Sequence, residues 1–461
     1  MKKNKLLSLA VSMLTLASLV GCSKDSDSSS TKANIPSQGT ITVWVGEESK
    51  AFYQEILNKY REDNNFAYDF NVVAQDAGEA AKLFLEDVEK GGDIITVPHD
   101  NLAKLTAGAS AIMPVTDASL LAQIEADNPE MFRDVIKKEM NTKNFTFAVP
   151  YIGQSLVLYY NKAVVSDEQA KTFEGLAEAA KNASTADNKV KACTFLGNDG
   201  FNFSWSILAR QMPGNTSTLK LYENKNADNC YFQGDDMVAV TKWAQDYFDL
   251  DNGATYPSSS GWEMELTPKS GSNVGKAVAL VGGAWNYEKV KSALGEANVG
   301  VTKLPTFTTT KAYESIPAGT TFQAGSFYDC KTFVMKKTSP YVAELQKVVA
   351  FLASKEVQEQ SFERCNNLPA YKNAQTEFEA MSANTTAAKL ANMQYEMSKY
   401  AIPQPFGTGD LFNDYYYSSG TTDLYKSLIE NPDGSLSSYD AIKAELKNIE
   451  NVWKTGKQIG Q

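Results

Sequence analysis

Carboxylates in adjacent pairs are the first residues of this chain whose chemistry can be named: Glu47-Glu48 and Asp235-Asp236. Two carboxyl groups flanking a glycosidic bond can hydrolyse it, although neighbours in sequence more commonly form a solvated edge. Other catalytic chemistries lack their parts. The chain holds one histidine, His99, so triads, HExxH zinc sites and multi-histidine metal sites lose their commonest component. No GxSxG occurs. The segment GSNVGKA (271–277) misses the phosphate loop, because its glycines are one residue too close and Ala277 replaces the Ser/Thr that would hold magnesium. No cofactor and no metal is implied.

Cys22 carries a different chemistry. Lys2, Lys3 and Lys5 precede an apolar run from Leu6 to Val20, 15 residues long. A bilayer span takes about 20 residues, so the run reads as the h-region of a secretory signal. Leu19-Val20-Gly21-Cys22 resembles the bacterial lipobox, which implies cleavage after residue 21 and lipid on the Cys22 sulfur. Ser23 to Gly39 then holds seven serines and threonines and almost nothing apolar. Such a segment cannot bury enough surface to offset its ordering entropy, so residues 22–39 read as a lipidated, disordered tether behind a signal peptide at 1–21. Membrane contact is expected through this anchor only, at the extracytoplasmic face of a bacterial cell membrane.

Roughly 420 residues follow, too many for one core and suited to about two domains. The hydrophobic fraction of 43% and 22 residues each of Tyr and Phe describe a packed globule, and its net charge of −11 argues against nucleic acid. Export makes disulfides possible, and the even count of Cys193, Cys230, Cys330 and Cys365 invites two pairs without choosing among the three connectivities.

Apolar runs alternate with helical periodicity. TITVWV (40–45), YDFNVVAQ (68–75) and DIITV (93–97) read as strands, and helices are expected from about Ser49 to Tyr60, over 79–91 and over 101–109. This alternation predicts a parallel sheet covered on both faces. Such sheets bind ligands at the carboxyl ends of their strands. The rim segments are therefore Trp44-Val45-Gly46-Glu47-Glu48 and Val97-Pro98-His99-Asp100.

ITVWVGEE, GGDIITVPHDNLAKL, FAVPYIGQSLVLYYNK (147–162), FNFSWSILA (201–209), AVALVGGAWNYEKV (277–290) and GVTKLPTF (300–307) occur in that order. Together they resemble the maltose-binding branch of the extracellular solute-binding proteins, the capture subunits of carbohydrate ABC importers, over about residues 40–420. The resemblance implies an α/β, two-lobed periplasmic-binding-protein-like fold with a hinge and an interlobe ligand cleft. Lobe one would hold 40–153 plus 307–353, and lobe two 157–303 plus 356–461, with passages near Gly153-Gln154, Pro305 and Ser354. It also implies a monomer whose partners are an oligosaccharide, maltodextrin-like in kind, and ABC permease subunits.

A pyranose offers an apolar C–H face to aromatic rings and a rim of hydroxyls to polar groups. By the resemblance, Trp285 matches the principal stacking tryptophan, with Tyr287 two residues on. Trp44 matches an aromatic at the end of the first strand, Phe203 an aromatic paired with Trp205, and Phe412 and Tyr415 fall near a further stacking position. Trp205 reads more readily as core. Asp100 and Glu48 keep the family's acids, and charge-assisted bonds to hydroxyls are the strong ones. Gln154 stands where the family has glutamate, Asn202 where it has tyrosine and Gly200 where it has glutamate; Val97 and Asn101 replace a tryptophan and an arginine. The cleft chemistry is thus partly rewritten. His99 reads as a structural hydrogen-bonder, and Tyr159-Tyr160 as packing on the two faces of a strand. Two other classes stay open: a secreted glycosidase using Asp100 with Glu48 or Glu263, and a surface sensor or adhesin.

Overall fold

The computed structural model describes residues 37–196, 222–223, 226–230, 232, 234–248, 255–258, 266, 276–314, 316–374, 386–404 and 438–455. Residues 22–36, Cys22 and most of the expected tether, lie outside them, as do Gly200, Asn202, Phe203, Trp205, Glu263, Phe412 and Tyr415.

The protein is two-lobed, with one hydrophobic core per lobe. In the first lobe Asp69–Ala74, Thr40–Val45 and Ile94–Pro98 lie side by side in parallel. Ile94, Ile95, Thr96 and Val97 are all buried, as a strand covered on both faces requires. The helix Lys50–Asp63 buries Phe52, Tyr53, Ile56 and Leu57 along one stripe. The next helix, Ala77–Glu86, starts where the Asp76 carboxylate accepts the N–H groups of Gly78 (2.8 Å) and Glu79 (3.2 Å). It ends earlier than the expected residue 91. The chain leaves it at Asp87 so that Gly91 and Gly92 can pass against Phe84 and Trp44, where a Cβ would sit 2.3 and 2.9 Å from those rings.

The second lobe holds a five-stranded sheet in the order Thr255–Ser258, Cys193–Leu196, Ala279–Gly282, Val157–Asn161, Val299–Thr302. The expectation of parallel sheets holds for three strands in each lobe and for the short pairing of Ser326 and Phe327 with Ala401–Ile402, and fails for the pairs that complete the sheets. Ser326–Lys336 runs antiparallel to Ile94–Pro98 and to Val149–Ser155, and Val157–Asn161 runs antiparallel to both its neighbours. A strand that passes directly between lobes needs no crossover helix, so nothing forces it parallel.

Core membership locates the passages. Ile152 belongs to the first core and Leu156 to the second, leaving Gly153, Gln154 and Ser155 between them. On the return, Phe327 packs in the second core and Tyr328 in the first, so the strand Ser326–Lys336 itself spans the lobes. That passage lies further along the chain than Pro305. Phe307 explains the shift: its ring stacks on Trp243 at 3.6 Å between centroids and on Phe322 at 5.1 Å, inside lobe two. The third passage lies beyond Ser354, since Val357 and Ala370 still pack in the first core and, among the described residues, Leu390 is the next in the second. Phe362, Leu368, Tyr371, Ala374, Ala391 and Tyr395 form a small cluster across that gap.

Cys193, Cys330 and Cys365 are free thiols, so two disulfide pairs do not form. Cys193 and Cys330 are each enclosed in a different core.

Candidate functional site

The strand Ala279–Gly282 delivers the chain to a glycine pair, a single 3-10 turn at Ala284–Asn286, and the helix Tyr287–Leu294. Within this turn Asn286 and Tyr287 are 2% and 3% exposed, whereas Trp285 is 42% exposed. An indole left open beside the buried Asn286 and Tyr287 is the feature that a stacking site needs. The ring lies across Gly283, where a Cβ would come within 2.1 Å of it. Tyr287 does not join it. Its ring packs in the second core, with its hydroxyl bonded to Thr386, and burial pushes the phenol above its usual range.

The second gathering of polar groups lies at the carboxyl end of Ile94–Pro98. His99 is fully buried. Its Nδ1 accepts the Cys330 N–H at 3.3 Å and its Nε2 meets the Gln404 carbonyl at 2.8 Å, which places the ring proton on Nε2. His99 is therefore structural, as expected. Asp329, 1% exposed, lies 3.7 Å from His99 Nε2 and accepts from the backbone N–H (3.1 Å) and Nε2 (2.5 Å) of Gln404. Part of Asp100 reaches the surface, but its Oδ1 is buried. Burial pushes the Asp100 carboxyl up to about 6, the Asp329 charge adds to that, and His99 and Lys104 pull the other way. Burial also raises Asp329, against the pull of His99 and Gln404.

The remaining sequence candidates divide. Glu48 is exposed in the 3-10 turn Glu47–Ser49, with its carboxylate folded over Gly46. Gln154 lies on the passage strand, opposite Asp329 in the register, and is 9% exposed. Trp44 departs from the expectation. It stands edge-on to Phe84 at 6.4 Å, leans over Gly92 and packs on the first core. Because Gly92 precedes the strand Ile94–Pro98, the indole points away from the carboxyl rim and serves packing.

Asp329, Gln404, Tyr159 and Asn286 were not among the sequence candidates. A signal existed for Asp329: a lone acid inside the apolar run SFYDCKTFVMK is costly unless it is satisfied. Asn286 bonds the N–H only three residues back, a local cap at the start of a helix, whereas the partners of Gln404 and Tyr159 are distant in sequence. Among the described residues no group of His, Cys, Asp and Glu side chains could hold a metal ion, and no helix is long and apolar enough to cross a membrane.

Two α/β lobes joined by three passages, with an exposed tryptophan on one and a carboxylate rim on the other, define a two-lobed ligand-binding protein. Residues 55–391 match the bacterial extracellular solute-binding proteins, and the chain belongs to that family. It is 24% identical over 396 residues to the maltooligosaccharide ABC transporter solute-binding lipoprotein of Streptococcus pneumoniae, covering 82% of this chain and 83% of that one. It is 23% identical over 410 residues to the maltodextrin-binding protein MdxE of Bacillus subtilis, covering 86% of each. Among solved structures, the GacH receptor of Streptomyces glaucescens, studied unliganded and with acarbose, superposes with a TM-score of 0.68 at 20% identity, covering 91% of this chain and 99% of that one.

Proposed function

We propose that the protein captures an oligosaccharide, maltodextrin-like in kind, outside the cell and hands it to ABC permease subunits. It acts as a monomer, binds and releases the sugar unchanged, and stays at the membrane through lipid on Cys22. The observation that carries the reading is the exposed Trp285 indole beside buried Asn286, in the turn at the end of a lobe-two strand. Asp100 and Glu48, at the ends of two lobe-one strands, supply hydroxyl acceptors. The names of the relatives from Streptococcus pneumoniae and Bacillus subtilis support the sugar class.

Thermal shift against a panel of mono- and oligosaccharides tests this. A ligand that binds only the native state stabilises by about 2.7 kcal/mol at a hundredfold excess over its dissociation constant. A shift with the α-glucan series is expected; a shift only with amino acids, peptides or anions overturns the assignment. The raised Asp100 carboxyl favours a second reading, glycoside hydrolysis, because a general acid needs such a carboxyl. Recovery of intact oligosaccharide after prolonged incubation removes that alternative, and shortened products establish it.

A further inference from the structure

We infer that Tyr159 and Gly283 are positioning residues that fix the plane of the Trp285 indole and so set how tightly this protein holds an oligosaccharide. The inference rests on Trp285 facing the ligand and names what holds it there.

Gly283 sits at φ −101°, ψ −175°, an extended conformation open to any residue. Its backbone therefore does not call for glycine; space does. A Cβ at this position would lie 2.1 Å from both Cη2 and Cζ3 of Trp285. The indole rests directly on the main chain, and any side chain would lift it off. Gly282 is constrained in the same way, since a Cβ there would lie 2.5 Å from Asn286 Oδ1.

The peptide groups beneath the ring are held at both ends. The Gly283 N–H donates to Asn286 Oδ1 at 2.9 Å, and the Gly283 carbonyl accepts from the Tyr159 hydroxyl at 2.8 Å. Tyr159 comes from the neighbouring strand, where it pairs with Leu280, and its side chain reaches past the strand end to the turn. It is fully buried, and burial holds its phenol well above the usual range, so it remains a neutral donor. Lobe two's core thus clamps the platform on which the exposed indole lies. A ring held before the ligand arrives loses less freedom on binding than one that must be ordered.

The test uses the purified full-length protein and a double-mutant cycle read by calorimetric titration with the best-binding oligosaccharide. Gly283→Ala is expected to weaken binding about tenfold and Tyr159→Phe by about threefold. In a Trp285→Ala background both should cost nothing further, because they act through the indole. The Trp285 component of the fluorescence, taken as the difference from Trp285→Ala, should shift in both variants without sugar. Full penalties persisting in the Trp285→Ala background would overturn the inference, as would unchanged affinity and fluorescence in both variants. If wild type binds no sugar, the transport reading fails, and the sugar-free fluorescence alone then judges the cradle.

Discussion

Asp100 and Trp285 show how differently single residues could be read. Trp285 is a candidate by resemblance, and its indole stands 42% exposed between a glycine pair and a helix start. Trp44 and Tyr287 carry the same chemistry but are absorbed by packing, which depends on Phe84, Gly92 and Thr386, partners that sequence alone does not supply. Asp100 was named as an acceptor, but its link to Asp329 arises only when the return strand lies beside Ile94–Pro98. That link has a measurable consequence. A carboxyl raised to about 6 in the fold binds a proton more tightly there than in the unfolded chain, whose carboxyls titrate near 4. Its contribution to stability is favourable at the acid end of the window from about pH 4 to about pH 6 and is lost as pH rises through it. Asp100→Asn removes the cost of the buried charge. Its melting temperature relative to wild type should therefore be higher by a few degrees at pH 7.5 than at pH 4.5. An offset that is the same at both pH values would show that Asp100 is ionised throughout.

At the scale of elements, the strands expected between residues 40 and 97 match the structure closely, whereas the helix expected over 79–91 is Ala77–Glu86 and that over 101–109 is only Leu102–Leu105. The strand expected at 40–45 is Thr40–Val45, and those expected at 68–75 and 93–97 are Asp69–Ala74 and Ile94–Pro98. Local signals suffice there, because strand and helix alternate and each is closed by its own cap or turn. Replacing the Asp76 cap by alanine should cost about 1 kcal/mol, which denaturant unfolding can resolve. The passages between lobes were less legible. Proline and glycine suggested hinges, yet the chain returns inside an unbroken strand, Ser326–Lys336. What decides the matter is the long-range stack of Phe307 with Trp243 and Phe322, which ties residues 306–323 to lobe two. Phe307→Ala should destabilise the protein by about 3–5 kcal/mol, seen as an early unfolding transition of that lobe. A loss below about 1 kcal/mol would mean that the hairpin is held by other contacts.

For the whole molecule, the two cores meet through thin backbone. Between Ile152 and Leu156 only three residues intervene, and side chains brace them: Leu156 N–H donates to Ser326 Oγ at 3.1 Å and Ser155 N–H to Gln394 Oε1 at 3.3 Å. Few residues must then absorb a change in lobe angle, the arrangement by which hinge proteins close on ligands. The proposed anchor, Cys22, precedes both lobes in the sequence. Cys22→Ser should move the protein from the membrane fraction to the soluble fraction with no change in ligand affinity; retention at the membrane would contradict lipid attachment at that sulfur.

The most direct test of a sugar-capturing cleft built on Trp285 is isothermal titration of wild-type protein and Trp285→Ala with a maltodextrin length series. Wild type should bind at least one member, and the variant should bind it at least tenfold more weakly, about 1.4 kcal/mol, with its melting temperature in the absence of sugar preserved. Equal affinities in the two proteins would contradict the account, placing the cleft elsewhere and leaving Trp285 as surface packing.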